Sequence, residues 1–201
     1  VVNDFDTELA NLYKVAKFRL GELCAAVEHI PASRQIWEEL LHADHNYLNE
    51  VYRAVRKIYI LRVSYGGRGL HFGTDRTNCR FKAPQLRAWL EAFWARTAKV
   101  TIECLDACHF ISVYDAPETF FYVDPPYIGK DDYAQKFGDR EQQERLRDSL
   151  AGAKGKWLLS HHDCADIREV YKGFHISPLK VPYSVQTRGT AKATELLISN
   201  Y

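Results

Sequence analysis

Residues 121–127 read Phe-Tyr-Val-Asp-Pro-Pro-Tyr, an apolar and aromatic run that meets an acid and then two prolines. The run has the composition of a strand, and Pro125 and Pro126 end it sharply because neither has an N–H for a ladder. Pro126 also restricts the backbone before it, which suits the Asp124 carboxylate and the adjacent carbonyls to a fixed row of acceptors facing a pocket, with Tyr127 beside them. Such a row fits an exocyclic amine on a planar heterocycle: each N–H finds an acceptor and the ring stacks on Tyr127, as a flipped DNA base would. The plainer alternative is a strand and a proline turn, with Asp124 as a cap and Tyr127 packed.

Downstream, Gly129 to Gly138 is polar and suited to closing over a substrate. Gln142 to Leu150 is patterned as a charged amphipathic helix, Lys156 to Ser160 as a strand, and Cys164 to Tyr171 as a helix. A strand is expected near Phe174 to Ile176, then two more separated by the basic turn Thr187-Arg188-Gly189-Thr190, the second ending in Glu195-Leu196-Leu197-Ile198-Ser199-Asn200-Tyr201. Upstream, Thr101 to Cys104 is strand-like and leads to Asp106. Strands alternating with helices and finishing in a hairpin predict a three-layer α/β sheet.

The first residues repeat the strand, acid, helix order: Val1-Val2 runs into Asn3-Asp4-Phe5-Asp6, and a helical face follows that Asp6 is placed to cap. An acid at such a strand end binds ribose hydroxyls in α/β nucleotide-binding folds, so Asp4 is a candidate for that role or for a second local cap. Residues 21–60 are patterned as helices, acidic up to residue 50. The sign then reverses. Between 51 and 100 stand eleven basic residues against Asp75 and Glu91, a formal +9 in a chain whose total is +1. That concentration suits a polyanion such as nucleic acid, the alternative being an ordinary mixed surface. Inside it lies Ser64-Tyr65-Gly66-Gly67-Arg68-Gly69-Leu70-His71-Phe72-Gly73, whose four glycines predict an irregular loop or hairpin; Tyr65, Arg68, His71 and Arg76 are its candidate phosphate or base contacts.

The chain has 201 residues, 46% hydrophobic and 26% charged, the balance of a folded domain rather than a disordered chain. No apolar run reaches membrane-span length, and the acids near residue 1 exclude an ordinary signal peptide. Five scattered cysteines suit reduced thiols in a cytoplasmic protein. Cys104-x3-Cys108-His109 and His161-His162 with Cys164 have ligand-bearing side chains but no paired C-x2-C spacing, so no metal is expected. The chain begins in a strand-like run and has no methionine, which suits either an internal portion of a larger protein or a chain from which modified methionines were dropped, with some spacings then too short.

Taken together, V-V-N-D-F-D-T-E-L-A-N-L-Y, the S-Y-G-G-R-G-L-H-F-G loop, I-E-C-L-D-A, F-Y-V-D-P-P-Y and the terminal E-L-L-I-S-N-Y resemble the Dam-like, D12 class of DNA adenine-N6 methyltransferases, in consistent order over nearly the whole chain. The resemblance implies a Rossmann-like S-adenosylmethionine-dependent methyltransferase sheet, with an inserted, mainly helical DNA-recognition domain at 21–96 and catalytic portions at 1–20 and 97–201. By the same resemblance Asp4 binds the cofactor ribose and Asp106 lies near the cofactor adenine. Asp124 and the Pro125 carbonyl, followed by Pro126, accept from the target amine, Tyr127 stacks on the target ring, and the partner is double-stranded DNA. The chain departs from the family's pattern in Ala107, where an aromatic often follows the acid, and in His161, where asparagine often follows the serine. The F-x-G-x-G cofactor loop and the strand before it are absent, so a missing N-terminal segment is expected. Two other activities fit these residues: a catalytically inactive DNA-binding homologue or fragment, and an amino-methyltransferase acting on RNA.

Overall fold

In the computed structural model of the chain, which describes residues 1–67, 69–73, 81–128, 139–182 and 192–201, Asp6 starts the first helix. Its side chain accepts from the backbone N–H groups of Glu8 and Leu9 at 2.9 and 3.1 Å, and helix α1 runs over Thr7–Phe18. The described residues divide into two compact units, Val1–Leu105 and Asp106–Tyr201.

The first unit is mainly helical. After α1 come α2 (Leu20–Val27), α3 (Arg34–His42), α4 (Glu50–Val63) and α5 (Ala83–Thr97). Ser33 and Asn49 cap α3 and α4, and Pro84 sits in the first turn of α5, where its missing N–H costs nothing. Leu12 and Val15 of α1, Leu23 of α2, Val55 and Tyr59 of α4, and Leu90 of α5 share one core. Burying each such aliphatic side chain contributes about 1.5–3 kcal/mol. Fully buried Tyr59 keeps its hydroxyl satisfied by accepting from the Ser33 N–H at 2.9 Å and donating to the Pro31 carbonyl at 2.8 Å, which ties the α2–α3 connection to α4. Strands β1 (Val2–Asn3) and β2 (Ile102–Glu103) pair in parallel, and Asn3 extends the pairing by exchanging side-chain hydrogen bonds with the Leu105 carbonyl and N–H at 3.0 and 2.9 Å.

The second unit is a sheet with helices. Its elements are α6 (Ala107–Tyr114), β3 (Phe120–Val123), α7 (Arg140–Ala151), β4 (Lys156–His162), α8 (Ala165–Val170), β5 (His175–Pro182) and β6 (Lys192–Ser199). The strand order is β3-β4-β6-β5, with β3 and β4 parallel and the other neighbours antiparallel. Pairing Phe121 with Trp157 and Val123 with Leu159 puts these four on one face. There Phe121, Trp157 and Leu159 are buried with Ile111, Leu146 and Ile167 from the helices, while Phe120 and Tyr122 on the opposite face stay exposed.

The far end of the β3–β4 pair is fastened by several bonds. The Asp115 carboxylate accepts from the N–H groups of Lys154 and Gly155 at 2.9 and 3.0 Å, Lys156 N–H donates to the Thr119 carbonyl at 2.9 Å, and Asn200 bridges Gly155 and Trp157. A Cβ at Gly155 would lie 2.6 Å from the Thr119 carbonyl oxygen, so only glycine fits.

The mixed α/β class, the helical stretch and the C-terminal hairpin agree with expectation. The tail differs in detail, with one continuous β5 where two separate strands were expected. Pro178 is tolerated inside β5 because β5 is the edge of its sheet, so its missing N–H breaks no central ladder. Helix α6 was not foreseen. The segment Gly129–Gly138 and the turn Thr187–Thr190 lie outside the described residues.

Candidate active site

At the end of β3 the two prolines deny Asp124 the local N–H donors that acids elsewhere in the chain use. Asp124 is exposed, and its Oδ1 accepts from the Ser160 hydroxyl at 2.9 Å and the Tyr127 hydroxyl at 3.4 Å. Ser160 is almost fully buried on β4, and because its single hydrogen goes to Asp124, the Tyr122 hydroxyl 3.3 Å away is the donor to Ser160. The resulting relay, Tyr122 to Ser160 to Asp124, fixes the carboxylate plane. Among the described residues Asp124 Oδ2 and the Pro125 carbonyl have no partner, whereas the Pro126 carbonyl accepts from buried Gln143 at 3.2 Å. Of the expected row of acceptors, then, exposed Asp124 keeps one oxygen and buried Pro125 its carbonyl without a partner among the described residues, and Pro126 is committed to α7.

Tyr127 is half-buried. Its ring lies 4.6 Å from that of His161 at an interplanar angle of 31° and 5.5 Å from that of His162. The packed-tyrosine alternative is therefore met by the His161 and His162 rings, while among the described residues Asp124 caps no helix. Ile128 N–H donates to His161 Nε2 at 3.3 Å, and His161 Nδ1 lies 3.0 Å from the His162 carbonyl. His161, His162 and Cys164 carry ligand atoms within 4.8 Å of one another, but His161 spends both ring nitrogens on backbone groups.

The two candidate cofactor acids differ. Asp4, half-buried, accepts from the Asp6 N–H at 2.8 Å through Oδ1, and its Oδ2 has no partner among the described residues. Asp106 uses both oxygens: Oδ1 caps α6 by accepting from Cys108 and His109 at 3.1 and 3.2 Å, and the carboxylate pairs with both terminal nitrogens of Arg145 at 2.7 and 3.1 Å. Burial pushes the Asp106 carboxyl up, but the His109 N–H, the Arg145 guanidinium and the Cys108 N–H together hold it below its ordinary value.

The basic interval is less free than its formal charge. Lys57 pairs with Asp6 at 2.6 Å, Arg53 with Glu8, and Arg87 with Glu28 at 3.3 Å, while Arg56 donates to the Leu40 and Leu41 carbonyls at the end of α3. Arg62 lies over the Trp89 ring, 3.8 Å from its centroid. The glycine loop closes as a small hairpin: Ser64 bridges to Phe72, Tyr65 N–H donates to the His71 carbonyl and Gly73 N–H to the Val63 carbonyl, both at 2.7 Å. Gly66 and Gly69, at φ of 63° and 77°, supply turns a side chain would strain. The base of this hairpin is fixed where Trp37 donates to the Ser64 hydroxyl at 3.1 Å, and Tyr65 and His71, the next paired residues, are exposed. Arg68 and Arg76 lie outside the described residues.

Sequence reasoning did not foresee the roles of Gln143, Ser160, His161 and Arg145. Gln143 carried one usable signal, its position three and seven residues before Leu146 and Leu150, which puts an amide on the buried stripe of α7.

The family model described as D12 class N6 adenine-specific DNA methyltransferase matches residues 1–185. The chain is also similar to the Type II methyltransferase M1.LlaDCHI of Lactococcus lactis subsp. cremoris, at 26% identity over 224 aligned residues covering 100% of this chain and 79% of that relative. No helix among the described residues is long and apolar enough to cross a membrane. With a family match over residues 1–185, this chain belongs to the D12 class of N6 adenine-specific DNA methyltransferases, enzymes that use S-adenosylmethionine.

Proposed function

We propose that this chain methylates adenine N6 in double-stranded DNA, with Asp124 Oδ2 and the Pro125 carbonyl accepting hydrogen bonds from the amine of an extruded adenine and Tyr127 stacking on its ring. The observation that supports this reading is that Asp124 Oδ2 and the Pro125 carbonyl, beside the half-buried Tyr127 ring at the end of β3, have no partner among the described residues. Extrusion is required because a paired and stacked base cannot bring its amine to these acceptors. The Tyr122–Ser160 relay would hold the carboxylate still, so that little reorganisation accompanies reaction. As positive charge develops on N6, the carboxylate stabilises it, and Asp124 Oδ2 is placed to receive the departing proton.

S-adenosylmethionine, when bound, supplies an electrophilic methyl group on sulfur. Asp4, with one carboxylate oxygen to spare, fits donors such as ribose hydroxyls. Asp106 is assigned to the cofactor adenine, and its pairing with Arg145 means that any such contact shares the carboxylate with the guanidinium. Residues 21–96 are assigned to target recognition, with Tyr65, Arg68, His71 and Arg76 as DNA contacts. The exposure of Tyr65 and His71 supports this for those two residues.

The test is transfer of labelled methyl from S-adenosylmethionine to mixed-sequence duplex DNA, followed by base mapping, with RNA as the competing substrate. Label in N6-methyladenine of DNA is expected. Label on another base or only in RNA, or DNA binding without transfer, would overturn the reading.

A further inference from the structure

We propose that His161 is a positioning residue for methyl transfer, holding Tyr127 and the backbone that follows it through a packed ring and one hydrogen bond. The proposal rests on the role given above to Tyr127. Strand β4 delivers Ser160 and His161 consecutively, and the pleat sends their side chains to opposite faces. Ser160 meets the Asp124 carboxylate at 2.9 Å, and fully buried His161 meets the Tyr127 ring at 4.6 Å. One strand therefore supports both halves of the Asp-Pro-Pro-Tyr turn.

The hydrogen bonds select one form of the imidazole. Ile128 N–H donates to Nε2 at 3.3 Å, so Nε2 carries no proton; Nδ1 then carries it and donates to the His162 carbonyl at 3.0 Å. The neutral ring in that tautomer satisfies both contacts while presenting a face to Tyr127. Glutamine can place an oxygen near Nε2 but offers no ring. Phenylalanine offers the ring but no acceptor. Asparagine is too short to reach Ile128 as Nε2 does. Because Tyr127 and Ile128 are consecutive, the two contacts set both the ring plane and the peptide that follows it.

The experiment compares the full chain with His161→Ala, His161→Gln and His161→Phe by two readouts. The first is amide hydrogen exchange at Ile128, which needs no activity. The second is single-turnover methyl transfer to mixed-sequence DNA, normalised to folded protein, with KM for DNA measured separately. For His161→Ala we expect about 10-fold faster exchange at Ile128, and a transfer rate about 30-fold lower with KM for DNA changed less than about 2-fold, the pattern of misplacement rather than lost binding. His161→Gln should restore protection at Ile128, whereas His161→Phe should recover part of the rate without that protection. Should the alanine variant not fold, this division between the other two decides the matter. Unchanged Ile128 exchange, or a wild-type normalised rate, in His161→Ala overturns the proposal, as does identical behaviour of the glutamine and phenylalanine variants. A wild-type chain that methylates no adenine is instead a failure of the functional reading, and Ile128 exchange still judges the contact.

Discussion

The β2–α6 connection and the β3 turn each place an aspartate just after a parallel strand, yet they leave its carboxylate in opposite conditions. Asp106 is followed by residues with backbone N–H groups, and Cys108 and His109 engage it at once as the cap of α6. Asp124 is followed by Pro125 and Pro126, so no N–H exists two residues on, where a short acid side chain most readily folds back. Asp4, Asp6 and Asp44 behave like Asp106, each accepting from the N–H two residues on. Asp115 makes the same point from the other side. Proline stands two residues after it, and its carboxylate reaches instead across to Lys154 and Gly155. In this chain a proline after an aspartate does more than end a strand, because it keeps the carboxylate available to something other than its own backbone.

Four measurements break or sharpen this comparison. The largest effect is expected for Asp124→Ala, which should lower methyl transfer by about 1000-fold, as for loss of a group that stabilises developing charge, while non-specific DNA affinity stays within about 2-fold. Parallel loss of DNA binding in a folded variant would count against the assigned role. Next comes Pro126→Ala, which restores an N–H two residues after Asp124. Diverting the carboxylate into a local turn should cost about 10-fold in single-turnover rate, more than Pro125→Ala, and equal rates would refute the account of the prolines. Third, Asp106→Ala should lower unfolding free energy in urea by about 1 kcal/mol through loss of the cap, whereas Asp124→Ala should change it by less than about 0.5 kcal/mol. The reverse ranking would show that Asp124 is the structural acid.

The smallest effect is with pH. Burial pushes the Asp6 carboxyl up, but the Lys57 ammonium and the Leu9 and Glu8 N–H groups hold it below its ordinary value of 3.8, and Asp106 is held low as well. A depressed folded-state value means stabilisation that is present above the unfolded-state value and lost as pH falls through the lower, folded one. Amide protection in the first turns of α1 and α6 should therefore decline below about pH 4, and Asp6→Asn should flatten that decline for α1. An unchanged acid limb in Asp6→Asn would remove Asp6 from the explanation.

Much of the fold was legible because its signals are local. Period-two and helical patterning marked β3, β4, α7 and α8, and Asp6 announced α1 by standing just before its apolar face. Helix α6 was harder to see. Its eight residues include Phe110, Ile111 and Val113, which also suit a strand, and the deciding feature is the Asp106 cap. In the proposed site, Asp124, Pro125 and Tyr127 stand in one motif and are candidates from the sequence alone. Their supports are not, since Ser160, His161 and Gln143 meet the turn only through β4 and α7. The charge count overstates the unpaired charge for the same reason. Lys57 and Arg53 sit in the basic interval, but their partners Asp6 and Glu8 lie about fifty positions earlier, outside any window used to sum charge.

Gly155 has a consequence that reaches beyond its own neighbourhood. With the Thr119 carbonyl 2.6 Å from where a Cβ would stand, the β3–β4 pair is clamped at the end opposite the proposed site, and each strand then runs from that clamp toward Asp124 or Ser160 like one arm of a pair of tongs. The grip at the tips depends on the pivot. A side chain at Gly155 would pry the arms apart at their root and carry the serine away from the carboxylate it steadies, leaving every residue around Asp124 unaltered in identity and displaced in space.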